Sequence, residues 1–449
     1  GRIELDARTQ SPWGTVRAFL RLESQFGSGA VASTGASPQS VAGIPAYMGY
    51  GSYASAKEIT YLNKAFIQFA GLTMGRIQSM FDFYADAVGY TGLRGSNQTV
   101  NALAYTATFG GGFSATLSIE DSVSHRSQTA SVVALGIPGF ITGTGLWSPI
   151  LGFIPPASPL AALGAPSAQL NGTRLPDIVA NLRVDQPWGS AQIMGAIHQI
   201  RQGLYTLGGA APGGLVSGII IGGVPGPFSG LGNLANSNQI GFAVGGGLKF
   251  NLDMLAPGDV LWLQAIYAKG AIGYVNGSNL AFVNGFNWAN GMAAGGARVS
   301  SGNGYNGTGT TDVDCVWTYA GACEKSTSFA VTAALRHYWT PTISSTLTGS
   351  FWNVKYTDGA VNPAPGALAL GSIGFLSGFT NYKEFTLATG LEWNPVKNFG
   401  IGGEIAWQHG VTSRPVGLAS DIALVMQGLP AFKSQADLVR GRIRMYRAF

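Results

Sequence analysis

The chain has 449 residues, of which only 10% are charged and 67 are glycine, so the side chains that normally solvate a soluble surface are scarce. An aromatic content of 11% excludes a disordered chain, and the lack of a Gly-X-Y repeat excludes a collagen-like fibre. The net charge of +5 is scattered, without the basic runs typical of nucleic-acid binding. Part of this surface is therefore expected to face something other than water.

Apolar and polar residues alternate with period two along most of the chain, which is the pattern of half-buried β-strands. Many of the alternating stretches have 9 to 13 residues, close to the roughly 9–11 that a tilted transmembrane strand needs. In chain order, the predicted strands are 1–8, 15–23, 59–69, 73–82, 98–108, 112–120, 175–184, 190–201, 239–251, 259–269, 326–337, 342–356, 379–392, 400–409 and 434–449.

The two longest charge-free stretches, 127–172 and 202–248, cannot run as lipid-exposed helices. The first is interrupted by six prolines and the second by repeated glycine pairs. Transmembrane helices are therefore not expected, and the strands are the elements that could cross a membrane.

Short and long connections alternate strictly between the predicted strands. Short turns such as 9–14 and 186–189 stand between long segments, among them 83–97, 121–174 and 270–325. This rhythm is typical of an up-and-down barrel with tight turns at one end and long extracellular loops at the other. We therefore predict one all-β domain over residues 1–449, a transmembrane antiparallel β-barrel.

The number of predicted strands is odd, whereas bacterial single-chain barrels are even-stranded. The first strand, 1–8, leads into a short turn, so an upward strand is expected before it. We therefore expect sixteen strands, with the first one missing at the N-terminus. The alternative is an error in one strand assignment.

Cys315 and Cys323 are the two cysteines of the chain, eight residues apart in a polar segment. This spacing favours a disulfide in an oxidising compartment, with two free thiols as the alternative.

Several local motifs resemble the alphaproteobacterial porin family. They are the Arg-Ile-Glu-Leu-Asp-Ala-Arg-Thr start at 2–9, the Trp-Gly-Thr turn at 13–15, and Met-Gly-Arg-Ile-Gln-Ser at 74–79 followed by Phe-Asp-Phe at 81–83. The aromatic C-terminus at Phe449 resembles that of bacterial outer-membrane porins more generally. The resemblance implies a homotrimeric, 16-stranded, water-filled channel in the outer membrane of a Gram-negative bacterium. It also implies that the third long loop, here 83–97, folds inward as a constriction. Lipopolysaccharide and other outer-membrane lipids would then be its neighbours.

Alternation along the strands predicts which charged side chains face the lumen of the barrel. These side chains are concentrated on strands that become neighbours when the barrel closes. An acidic inward loop would face them and create a field across a narrow pore, which favours anions because the wall is predominantly basic. A purely structural alternative is that the arginines stiffen the wall. The residues concerned are Arg17, Arg21, Glu23, Lys64, Arg76, Arg440, Arg442 and Arg444 on the wall and Asp82 and Asp86 in the loop.

Enzymatic and cofactor sites have little support in the sequence. The glycine pattern at 302–307 precedes a loop rather than a helix, so it does not suit a dinucleotide. Asp312 and Asp314 leave open a weak Ca²⁺ site, although this ion prefers six or more oxygens; otherwise no cofactor is expected. The sequence predicts a general diffusion porin for ions and small polar solutes. The alternatives are a substrate-specific channel and a surface adhesin or receptor barrel.

Overall fold

The computed structural model describes residues 1–27, 57–126, 128–131, 146–148, 152–154, 166–170, 172–206, 220–221, 224–225, 233–276, 313–318, 321–362, 379–413, 422 and 434–449. Fifteen long strands dominate these ranges. In chain order they are β1 (Arg2–Ser11), β2 (Gly14–Gly27), β3 (Lys57–Phe69), β4 (Leu72–Gln78), β5 (Thr99–Gly110), β6 (Phe113–Glu120), β7 (Asp177–Gln186), β8 (Gly189–Thr206), β9 (Asn233–Asn251), β10 (Val260–Lys269), β11 (Thr327–Thr340), β12 (Ile343–Lys355), β13 (Tyr382–Val396), β14 (Phe399–Thr412) and β15 (Gln435–Arg447).

Each strand pairs antiparallel with the next one in the chain, from β1 to β15. This order confirms the predicted all-β, up-and-down barrel and its fifteen predicted strands. A further short strand, Pro166–Leu170, extends the sheet by pairing with the loop end of β8. It lies within the segment 121–174 that the sequence predicts as a long loop.

The two faces of the sheet differ in the way that the alternation predicts. Leu117 and Val244 lie on the outward face with about half of their surface exposed, while Ser118 and Ala243, their neighbours in the chain, point inward and are fully buried. The inward face is covered because a segment of the chain packs inside the barrel. Arg2 of β1 and Arg444 of β15 line the same internal cavity, so the sheet curves until its two ends face one space.

Tight turns join the strands at the end opposite the long segments. Pro187 and Trp188 lie between β7 and β8, and Gly189, the first residue of β8, has a φ of 145°. A Cβ on Gly189 would lie 1.8 Å from the carbonyl oxygen of Lys249, so glycine is required for this close approach. The exposed ring of Trp188 is suited to the membrane interface.

Two of the long segments are tied together at the opposite end. Gln128–Ser131, Val313–Trp317 and Cys323–Lys325 form a small three-stranded sheet, in which the first two strands are parallel. Cys315 and Cys323 form the predicted disulfide, with 5.4 Å between their Cα atoms. In the chain-entropy account, closing this loop stabilises the fold by roughly 2–3 kcal/mol. Most of the apolar segment 127–170 lies outside the described residues.

A buried polar cluster fastens these segments to the inner wall. His198 of β8 contacts Asp177 of β7 at 2.9 Å and Asp314 at 3.6 Å, and the Tyr274 hydroxyl donates to Asp177 at 2.7 Å. The ring of His125 stacks on that of Tyr274 with centroids 3.7 Å apart. Desolvation lowers the pKa of His125 to about 3, so it stays neutral at physiological pH.

None of the helices in the described part of the chain combines the length and the hydropathy needed to cross a bilayer.

Candidate pore constriction

Residues 79–98, called the inner segment below, connect β4 to β5 and lie inside the barrel. The predicted strand 73–82 ends early, at Gln78, because the chain leaves the sheet here and turns inward. Glu120 at the end of β6 holds this turn: Oε2 accepts a hydrogen bond from the Ser79 hydroxyl at 2.7 Å, and Oε1 accepts from the Met80 amide at 2.9 Å. The inner segment includes the predicted loop 83–97.

The first half of the inner segment is fixed to the wall formed by β7 to β10. Asn181 donates to the Met80 carbonyl at 2.6 Å, and Gln264 accepts from the Tyr84 amide at 3.0 Å. The ring of Phe83 packs on Trp262 with centroids 5.1 Å apart. It also lies directly against Gly247, where a Cβ would be 2.1 Å from a ring carbon. The wall therefore contains a slot shaped for this ring.

The second half is held by a buried ion pair. The Arg94 guanidinium donates to both carboxylate oxygens of Glu384 on β13, at 2.7 and 2.8 Å, and both side chains are almost fully buried. The same guanidinium lies 4.2 Å from the ring centroid of Trp352. A two-pronged contact of this kind fixes both position and orientation, so Arg94 anchors the inner segment to the far wall.

Two carboxylates on β13 and β14 hold the tip of the inner segment. Glu404 accepts from the Tyr90 amide at 2.7 Å and from the Thr91 hydroxyl, and Glu392 accepts from the Tyr90 hydroxyl at 2.7 Å. Arg442 of β15 donates to the Tyr90 carbonyl. The inner segment therefore lies against the wall from β6 round to β15 and leaves β1 to β3 facing it across the lumen.

The two acidic residues that the sequence predicts in the loop accept hydrogen bonds from other residues of the inner segment. Asp82 accepts from the Gln98 amide at 2.7 Å, and Asp86 accepts from the Leu93 amide and the Asn97 side chain, both at 2.9 Å. Protein surrounds both carboxyls on most sides, and this desolvation raises the pKa of Asp82 to about 6 and also raises that of Asp86. Asp86 also has a φ of 54°, so it shapes a tight turn.

The wall opposite carries basic side chains with differing partners. Arg21 pairs with Glu4 at 2.8 Å, and Arg2 pairs with Glu23 at 2.7 Å. Within the described residues, no carboxylate forms an ion pair with Lys64, which projects inward beside Arg21 in the β2–β3 register. The Glu23 carboxylate also accepts a hydrogen bond from the Tyr61 hydroxyl at 2.6 Å, so it has two donors, Arg2 and Tyr61.

A cavity of about 680 Å³ separates the inner segment from this wall. Its lining has six basic and three acidic side chains, so the space carries an excess of positive charge. Arg444 of β15 also lines the cavity, and its guanidinium lies 5.2 Å from the ring centroids of both Tyr90 and Tyr446. The lining residues are Arg2, Arg21, Glu23, Asn63, Lys64, Gln78, Ala85, Asp86, Gly89, Tyr90, Gly92, Leu93, Arg94, Asn97, Thr99, Asn276, Glu384, Thr386, Gln408, Arg442, Ile443 and Arg444.

Four of the predicted lumen charges are not in this lining. Arg17 points inward but pairs with Asp6 at 3.0 Å near the short turns, and it stacks over Phe19. Arg440 has the same inward parity as Arg442 on β15, but neither Arg440 nor Asp82 is among the residues that line the cavity.

The fourth, Arg76, requires a correction. Arg76 lies two residues after Met74 on β4, faces Ala65 and Asn101 on the neighbouring strands, and is on the same face of the sheet as Met74. Met74 is exposed on the outward face, so Arg76 also lies on that face, whereas the sequence predicted that it faces the lumen. Its Nε donates to the Leu62 carbonyl beside the bulge at Asn63.

Several residues that line the cavity, or that pair with its lining, were not predicted from the sequence. Glu4 and Arg2 alternate on β1 in register with Arg21 and Glu23 on β2, and the two-residue turn after Ser11 fixes that register. The signal was therefore present in the hairpin. Arg94 gave no such signal, because its partner Glu384 is 290 residues away in the chain.

The possible Ca²⁺ site in the sequence involves two aspartates, of which the structure describes one. Asp312 lies outside the described residues, and Asp314 is buried and accepts from the Ile272 amide at 2.7 Å. Across the described ranges, no group of three or more potential metal ligands is present.

Comparison with solved structures finds several outer-membrane proteins that align over nearly the whole chain. The outer-membrane channel DcaP of Acinetobacter baumannii is 13% identical, with a TM-score of 0.49 and coverage of 99% of this chain and 84% of that one. The anion-selective porin of Comamonas acidovorans is 10% identical, with a TM-score of 0.41 and coverage of 99% and 89%. OmpT of Vibrio cholerae in its trimer form is 8% identical, with a TM-score of 0.41 and coverage of 99% and 91%.

No curated protein sequence matches the chain significantly. The sequence model of a family described as "Porin subfamily" matches residues 1–423, which is most of the chain. The match agrees with the antiparallel barrel, the inner segment and the internal cavity. The chain therefore belongs to the porin subfamily and is a diffusion channel of the outer membrane.

Proposed function

We propose that this porin is a general diffusion channel that prefers small anions, with the inner segment as its constriction. The observation that carries the proposal is the cavity lining, in which six basic side chains face three acidic ones. Glu384 is already paired with Arg94, and Glu23 with Arg2. Among the described residues, neither Lys64 nor Arg444 forms an ion pair with a carboxylate, so the lining keeps an excess of positive charge, and the field of such an excess lowers the free energy of an anion in the pore.

The test is the zero-current potential across a KCl gradient in a planar bilayer. We expect the sign for chloride preference in the wild type, and a shift toward potassium in Lys64→Glu and in Arg444→Glu. Lys397→Glu is the matched control, because Lys397 is exposed in a short turn away from the cavity. A wild-type channel with clear potassium preference would overturn the proposal.

The same recordings separate the general channel from its alternatives. Current that rises linearly with solute concentration supports general diffusion, whereas saturable block by one solute class would indicate a substrate-specific channel. Folded protein without any conductance would indicate an adhesin or receptor barrel.

Transport without chemistry is part of the proposal. What supports it is membership of the porin subfamily together with the cavity inside the barrel. We therefore expect permeating solutes to leave unchanged, and a solute recovered in altered form would contradict this.

A homotrimer is the assembly that the family resemblance implies. On SDS gels, we expect a high-mass species before boiling and a band near the monomer mass of 46.5 kDa afterwards. A folded species that migrates as a monomer before boiling would contradict the trimer.

A further inference from the structure

A second cavity lies between two neighbouring hairpins at the short-turn end of the barrel. Its volume is about 490 Å³, within the roughly 300–1,000 Å³ that is typical of small-molecule sites. Its lining includes Pro341 and Thr342, in the turn between β11 and β12, and Asn394 and Pro395, at the end of β13. The Asn394 amide donates to the Thr342 carbonyl at 2.7 Å, which ties the two hairpins together. We call this cavity the turn-side cleft.

The turn-side cleft is separate from the cavity at the inner segment, and among the described residues the two linings share no member. On β13, Glu384 lines the first cavity, whereas Glu392, closer to the short turn on the same strand, lines the cleft. The short turns of bacterial barrels are periplasmic. The cleft therefore lies on the periplasmic side of the inner segment, and a solute bound in it would not occupy the first cavity.

Arg336 of β11 is a cation that the wall directs into the cleft. It has the parity of Ala334, which is buried on the inward face. Among the described residues, the Arg336 guanidinium forms no ion pair with a carboxylate. Arg183, an inward arginine on the short-turn side of β7, instead binds both oxygens of Asp185 at 2.8 Å. A guanidinium presents its donors in a fixed fork that matches a carboxylate, so Arg336 is suited to a carboxylate from outside the chain.

Glu392, an acidic side chain in the lining, is held by other donors. One of its oxygens accepts from the Tyr90 hydroxyl at 2.7 Å, and the other accepts from the Asn394 side chain at 3.2 Å. The Tyr446 hydroxyl lies 3.3 Å from this second oxygen. The Glu392 carboxylate therefore binds the inner segment and the end of β13, and it leaves the Arg336 guanidinium without an ion-pair partner.

Two tyrosine rings in fixed positions also border the cleft. The Tyr338 ring lies against Gly258, where a Cβ would be 3.2 Å from a ring carbon. The Tyr446 ring lies against Gly400, where a Cβ would overlap it. Together with the two prolines, these rings give the cleft rigid, largely apolar sides. Rigid sides lower the entropic cost of holding a ligand.

We propose that the turn-side cleft binds small carboxylates with an apolar body, such as aromatic acids. The carboxylate pairs with the Arg336 guanidinium, and the body lies against the tyrosine rings and the prolines. An inorganic anion would leave the apolar sides unused, and a neutral aromatic would leave the guanidinium unpaired. Lys397, on the exposed turn at the rim, is not part of this contact. Binding here is independent of the anion preference proposed for the first cavity, so either can fail without the other.

Equilibrium binding of benzoate to the detergent-solubilised full chain, measured by ligand-observed NMR, tests the proposal. We expect saturable binding to the wild type and at least about tenfold weaker binding to Arg336→Gln, because a charge-assisted, two-pronged contact is lost. Arg336→Lys keeps the charge without the fork and should bind with intermediate affinity. Arg183→Gln is the matched control and should bind as the wild type does. Heat-modifiable migration on SDS gels confirms that each variant is folded.

Two further probes separate the charged half of the site from its apolar half. Benzyl alcohol lacks the charge and acetate lacks the ring, so each should bind the wild type at least about tenfold more weakly than benzoate does. Absence of benzoate binding, equal binding to wild type and Arg336→Gln, or an equal loss in Arg183→Gln would overturn the proposal. Acetate that binds as tightly as benzoate would overturn the role of the apolar sides, and benzyl alcohol that does so would overturn the role of Arg336.

Discussion

At the scale of single residues, Arg94 and Glu384 show how a charged pair inside a pore protein can fix geometry. Their side chains are almost fully buried, and they join the inner segment to β13. Breaking a buried pair by removing one partner is far more harmful than replacing both, because the remaining charge is left without compensation.

Arg94→Ala should therefore lower the free energy of unfolding by about 3–5 kcal/mol. The double variant Arg94→Met/Glu384→Gln should recover much of this loss, since it leaves no buried charge. Urea unfolding in a bilayer or detergent measures both. An Arg94→Ala variant as stable as the wild type would show that the pair does not anchor the inner segment.

We expect Asp82 to make the channel sensitive to pH in a defined direction. Its pKa is raised to about 6, so its carboxyl is mostly ionised at pH 7 and mostly protonated at pH 5. Lowering the pH through this range removes a negative charge near Lys64. The preference for chloride should therefore increase between pH 7 and pH 5.

In Asp82→Asn, the change in zero-current potential between these two pH values should be smaller than in the wild type. The variant carries no titrating group at this position, so what remains comes from other carboxyls. An unchanged pH dependence in Asp82→Asn would show that Asp82 does not influence permeation.

At the scale of elements, the inner segment depends on the absence of side chains on the wall behind it. A Cβ on Gly247 would lie 2.1 Å from the Phe83 ring, whereas a Cβ on the adjacent Gly246 points outward and meets its nearest atom at 3.6 Å. The two glycines are neighbours in β9 and differ only in the face they occupy. They therefore provide a matched pair.

Gly247→Ala should displace Phe83, lower stability by about 1–3 kcal/mol through overpacking, and alter single-channel conductance. Gly246→Ala should leave both quantities near their wild-type values. Thermal unfolding and bilayer recording measure the two effects. Similar behaviour of the two variants would mean that the slot for Phe83 is not required.

Elements also differ in how well the sequence predicts them. Period-two alternation was sufficient for the fifteen strands because successive side chains of a strand point to opposite faces of the sheet, and the two faces differ in their surroundings. The end of β4 and the outward placement of Arg76 could not be read in the same way. At that point the chain leaves the sheet for the lumen, and its polar residues serve the turn instead of one face. The hairpin of β1 and β2 could have revealed Glu4, since its register is local.

At the scale of the whole molecule, the candidate site depends on contacts that bring distant parts of the chain together. Arg94 reaches Glu384, Tyr90 reaches Glu404, and Arg442 reaches the Tyr90 carbonyl, in each case across more than half of the sequence. Alternation predicted that Arg442 and Arg444 point inward. It could not predict which side chains the inner segment would meet, because barrel closure alone sets those distances.

Lys64 lines the water-filled path between the inner segment and the wall, whereas Leu62, two residues away, faces outward. The two native cysteines are joined in a disulfide, so a single introduced cysteine can be labelled selectively. The most direct measurement is single-channel conductance of Lys64→Cys and of Leu62→Cys before and after reaction with a sulfonate-bearing thiol reagent. We predict that labelling reduces the conductance of Lys64→Cys, because bulk and negative charge are added inside the path, and leaves that of Leu62→Cys unchanged. Labelled Lys64→Cys that conducts as it did before reaction would show that ions do not pass through this cavity.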